Sequence, residues 1–162
     1  MTSLDPGAQA ASTTTEKRQP ESTRRVLVLF ENRTERSWLR VLTPGFRHCF
    51  CVIGAGSHWT IVDPLKSRIE VLSFSGLSER RLVSHYRRTG RVVLAGEAAA
   101  GEPRKGLLPR PLTCVEIVKR LLNLRAPGVF TPWQLHWTLL NSPSFVACRQ
   151  SQEITPDLVL DA

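Results

Sequence analysis

Hydrophobic positions along the 162-residue chain change period several times, and each change marks an element. Val26 to Phe30 form a continuous apolar run closed by Asn32, the signature of a buried strand. Thr34 to Pro44 has the start and stop residues of a short helix. In "FRHCFCVI" the pattern alternates, placing Phe46, His48, Phe50 and Val52 on one face. "GAGS" then reads as a turn before a second strand, "HWTIVDPL", so the two make a hairpin. A further strand follows in "SRIEVLSFS". "GLSERRLVSHYRRTG" has helical spacing at Leu82, Val83 and Tyr86, with Ser78 as cap and Gly90 as stop. "RVVLAGE" is strand-like, and "AAAGEPRKGLLPRP" is punctuated as a loop. Helices are expected over 114–124 and from "TP" at 131–132 to about Asn141. Strands in series with a few helices predict an α+β fold with an antiparallel sheet.

The two ends differ from the rest. Residues 1–25 are rich in Ser, Thr, Ala and Gln, and are expected to be a disordered arm. Residues 150–162 carry three acids and no Lys or Arg, and read as a flexible acidic tail. One domain is expected over 26–149, with 41% hydrophobic residues in the chain supplying a core. No apolar run approaches the roughly 20 residues of a membrane span, and the N-terminal residues lack the apolar centre of a secretory signal. A cytoplasmic or virion-associated location is expected.

The net charge of +8 is concentrated between the ends, in stretches such as "ENRTERSWLR" and "SERRLVSHYRRTGR". Such a surface attracts polyanions: nucleic acid, an anionic membrane or an acidic wall polymer. No zinc-finger spacing or aromatic-rich RNA-binding strand accompanies it. Of the four cysteines, Cys49 and Cys51 form a C-x-C with no second pair, which is poor zinc spacing. In one strand they would share a face as small buried thiols, and all four cysteines are expected to be reduced.

The chemistry concentrates at "LTCVEIVKRLL". Thr113 is a good N-cap, and Glu116 three residues on completes the S/T-x-x-E capping-box pattern. Cys114 is then the first helical residue. There the helix dipole and the free backbone N–H groups favour thiolate, opposed in part by the charge of Glu116. The same N–H groups can stabilise an oxyanion. The bland alternative is a small cysteine packed at a helix start.

A thiol nucleophile needs a base, and the histidines are His48, His58, His85 and His136. His85 lies on the arginine-rich helix, and His136 lies between Trp133 and Trp137 as a packing residue. With the hairpin turn set at Gly54–Ser57, Ile53 faces His58 and His48 faces Asp63. A carboxylate there would orient the imidazole. A one-residue slip would turn Asp63 away, leaving it as an Asp-Pro strand end.

"GFRHCFCVI…HWTIVDP", followed by "LTCVEIVKRLL" and "FTPWQL", resembles circularly permuted papain-like proteins of the NlpC superfamily. There a strand histidine precedes the cysteine that heads a helix, and a late TP-x-x-L segment follows. The resemblance spans roughly residues 46–140. It implies Cys114 as nucleophile, His48 as base and Asp63 as orienter, with no metal or organic cofactor. It implies amide, ester or thioester chemistry on a peptide, peptidoglycan or acyl substrate, in a bacterium or its virus. No side-chain oxyanion donor precedes the cysteine, and Gln134 lies after it. Trp59, Trp133 and Trp137 are candidates to line a cleft. The rival reading is a non-enzymatic basic interaction protein of a virion or nucleoprotein assembly.

Overall fold

The computed structural model describes residues 23–33, 40–99 and 112–148. It is an α+β fold with a six-stranded antiparallel sheet and three helices among the described residues. The strands are β1 (Thr23–Glu31), β2 (His48–Ala55), β3 (His58–Pro64), β4 (Ile69–Ser75), β5 (Val92–Ala99) and β6 (Phe145–Ala147). The helices are α1 (Glu79–Arg88), α2 (Cys114–Leu121) and α3 (Pro132–Leu140). The sheet order is β4-β3-β2-β1-β5-β6.

The continuous apolar run in β1 follows from its place in the middle of the sheet, where both faces are covered. Val26, Val28 and Phe30 face α2 and α3, packing with Val115, Val118, Leu135 and Leu139. Leu27 and Leu29 face α1, packing with Leu82 and Tyr86. Each such side chain contributes about 1.5–3 kcal/mol when fully buried, so the central strands are the rigid platform. Cys49 and Cys51 of β2 are fully buried together in the α2/α3-side core.

Several elements depart from the sequence pattern. β1 starts at Thr23, three residues before the apolar run, because Thr23, Arg24 and Arg25 pair with Ala99, Ala98 and Glu97 of β5. Phe46 does not share a face with Phe50: β2 starts only at His48, after a turn at Gly45 (φ 84°). Phe46 packs instead into the α2/α3-side core, against Phe30 and Trp133. Helix α2 ends at Leu121, and Asn123 with φ 53° prevents its extension to 124. The three-residue β6 had no periodicity to reveal it. The helix expected from Thr34, most of the loop at 98–111, and the arm and tail expected at the ends fall largely outside the described residues.

The hairpin register differs as well. The turn is the two-residue Gly56–Ser57, with Gly56 at φ 63° and Ala55 paired with His58. Glycine with positive φ at the first turn position matches a two-residue hairpin turn whose twist suits the flanking strands. Relative to a turn at Gly54–Ser57 the pairing moves by two residues, so Gly54 faces Trp59. A two-residue shift preserves the face of every side chain.

Candidate active site

Continued past Cys51↔Val62, the observed register sets Phe50 opposite Asp63 and leaves His48 one diagonal step away on the same face. His48 Nε2 lies 2.6 Å from Asp63 Oδ1, and both side chains are largely buried. The pair expected from the sequence is therefore formed diagonally, not by direct opposition. The His48 ring also stacks on Phe50, with centroids 6.3 Å apart. A carboxylate accepts only, so Nε2 carries a proton and Nδ1 is the nitrogen left for another partner.

The third residue comes from α2, which packs chiefly on β2. Thr113 is in extended conformation, and its hydroxyl accepts from Glu116 N at 3.2 Å, fixing the helix start. Cys114 follows, half-buried against the core that contains Cys49, where the Cys49 thiol and the His48 ring are the groups that lower its pKa. The capping box is only half formed, because the Glu116 carboxylate turns to Lys119 Nζ at 3.0 Å and Arg120 Nε at 3.3 Å. Burial works against this carboxylate, but the two cations hold it below its usual range. Its charge is thus compensated and does not oppose a thiolate at Cys114.

The electrostatics link Cys114 to His48 and Cys49. The Cys49 thiol, donating to Cys114, and then the His48 ring overcome the burial penalty and bring Cys114 down to about 5. The Cys49 backbone N–H adds to the effect. Burial pulls His48 down, but hydrogen bonds with Asp63 and Cys114 outweigh it and push His48 up to about 9. Between those values the pair is thiolate and imidazolium. Burial drives the Cys49 thiol well up, so it stays protonated and acts as a donor.

The other candidates have different roles. His136 is packed between Phe30 and Trp133, and burial lowers its pKa, so it is a neutral packing residue. His58 and His85 are exposed, on the hairpin turn and on α1. Trp59 lies in the α1-side core with its indole donating to Leu77 O at 2.8 Å, and the pocket it lines, with Arg25, Ser57 and Glu79, does not include Cys114, His48 or Asp63. Trp133 and Trp137 are on the outer side of α3, 36% and 50% exposed. Gln134 is occupied at its own helix start, where Oε1 accepts from Phe130 N and Thr131 N, completing a capping box.

Cys49 is the member that sequence reasoning missed. It looked like core filling, and its position directly after His48 gives no sign of its influence on Cys114. Among the described residues no three His, Cys, Asp or Glu side chains gather to hold a metal ion, and no helix is long and apolar enough to cross a membrane.

No family model, curated protein or solved structure matches the chain.

Proposed function

We propose that the protein is a cysteine hydrolase or acyltransferase of permuted papain-like type. The observation that carries this reading is the carboxylate-held imidazole of His48 at 2.6 Å from Asp63, together with Cys114 at the start of α2, a thiol that Cys49 and His48 draw down to about 5. The Cys114 thiolate attacks the carbonyl carbon of an amide, ester or thioester. Negative charge develops on the carbonyl oxygen, and the first backbone N–H groups of α2, at Cys114 and Val115, have no carbonyl partner within the helix. They are the donors suited to that oxygen. Imidazolium His48 protonates the leaving group, and the acyl group remains on Cys114 as a thioester. His48, now neutral, takes a proton from water or from an acceptor alcohol or amine, which attacks the thioester and frees Cys114. Asp63 keeps the ring oriented throughout and stabilises its charged form. A peptidoglycan peptide or an acyl lipid of a bacterium or its virus is the substrate class that accompanies the resemblance.

The test is acyl-enzyme trapping. Full-length protein is mixed with activated esters, thioesters and peptidoglycan fragments, then quenched in acid for intact and peptide mass measurement. An acyl adduct on Cys114, absent in Cys114→Ala and not released in His48→Ala, is expected. Turnover that survives Cys114→Ala would overturn the reading.

A second reading rests on α1. Arg80, Arg81, Arg87 and Arg88 lie on it, without carboxylate partners among the described residues. This helix covers the sheet face opposite α2 and α3. It suits a polyanion-binding surface, as an assembly role would require, and it is compatible with the enzyme reading because it uses different residues.

A further inference from the structure

Cys49 is a buried nucleophilic group that acyl transfer does not consume. It is fully buried on β2, directly after His48, in the core cluster against which Cys114 packs, and it is the first of the groups that lower the Cys114 pKa. The remaining cysteines are placed differently. Cys51 lies two residues further along β2 in the same core, and Cys148 packs against the α1-side core. Two thiols packed in one core cluster, one half-buried at a helix start and the other enclosed behind it, are an arrangement in which oxidation of the first can be captured by the second.

We propose that Cys49 is the resolving thiol for Cys114, so that a hydroperoxide converts the pair into a Cys49–Cys114 disulfide that reversibly silences the nucleophile. In the first step the Cys114 thiolate attacks the distal peroxide oxygen. The O–O bond breaks, Cys114 becomes a sulfenic acid, and hydroxide or alkoxide leaves. In the second step Cys49 sulfur attacks the Cys114 sulfur. The S–O bond breaks, the Cys49 proton leaves with the hydroxyl as water, and the S–S bond forms. A dithiol reductant returns both residues to thiols by exchange. Enclosure of Cys49 means that it does not itself meet the oxidant, and its proximity lets it intercept the sulfenic acid before irreversible sulfinic acid forms. The inference rests on the reading of Cys114 as an activated thiolate.

The experiment uses full-length protein and hydrogen peroxide. Reduced protein is first labelled with a limiting alkylating reagent to rank the four thiols. A second portion is treated with peroxide, blocked, digested and mapped by mass spectrometry, with fragment ions distinguishing Cys49 from Cys51. Fast labelling of Cys114, then a Cys49–Cys114 linkage lacking two hydrogens and reversed by dithiothreitol, is expected. In Cys49→Ser, which keeps a similar volume and a hydroxyl donor, Cys114 should proceed to sulfinic acid and lose recovery by dithiothreitol. Fast labelling of Cys114 combined with sulfinic acid in the wild type, or a linkage through Cys51 or Cys148, overturns the redox inference alone. Slow labelling of Cys114 overturns both it and the catalytic reading. The wild-type linkage decides the question even where Cys49→Ser fails to fold.

Discussion

At the scale of single residues, the decisive relation is between Asp63 and the charge on Cys114. The carboxylate touches His48, not the thiol, and it acts by keeping the ring protonated. Asp63→Asn keeps the shape and removes the charge. His48 should then fall from about 9, imidazolium should be lost at lower pH, and the Cys114 titration should move up. The acid limb of Cys114 alkylation is expected to shift to higher pH in a correctly folded Asp63→Asn protein, with acyl transfer slowed about 10²-fold or more. An unmoved limb would remove Asp63 from the site. This residue was readable from the sequence for a partly wrong reason. The assumed turn was two residues too long, but a shift of two preserves the face, and His48 and Asp63 stayed within reach diagonally. Cys49 was not readable, because strand periodicity gives the face of a side chain and not its neighbour on another element.

At the scale of elements, α2 is the part that places the proposed nucleophile, and Thr113 fixes where it begins. Losing the hydroxyl leaves Glu116 N without its acceptor and lets the first turn fray around Cys114. Thr113→Ala should cost about 1 kcal/mol in denaturant unfolding and should also raise the pH at which Cys114 ionises. Thr113→Ser should restore both. A stability loss without any change in Cys114 titration would mean that the helix start does not tune the thiol. Caps and helices were legible because Thr113, Ser78 and Thr131 each stand before apolar spacing and each accepts the bond expected of it. Glu116 shows the limit of such patterns: its spacing fits a capping box, but Lys119 and Arg120 on the same helix compete for its carboxylate and win.

At the scale of the whole molecule, the sheet sets the boundary of the fold. The antiparallel α+β class followed from hydrophobic periodicity, whereas the edges did not, since pairing to β5 draws polar Thr23, Arg24 and Arg25 into β1. A chain beginning at Thr23 should therefore melt like the full-length protein. One beginning at Val26 should melt lower, because it loses that pairing and the ion pairs of Arg25 with Glu79 and Glu97. Equal midpoints for the two truncations would show that the first turn of β1 contributes nothing. The site itself exists only in the assembled molecule, since its residues come from β2, β3 and α2. The most direct measurement is the rate of Cys114 alkylation against pH, mapped by peptide, in folded protein and in denaturant. The folded protein should keep Cys114 reactive down to a midpoint of about 5, and unfolding should return that midpoint to about 8.5, the value of a free thiol. A single midpoint near 8.5 in both states would contradict the account.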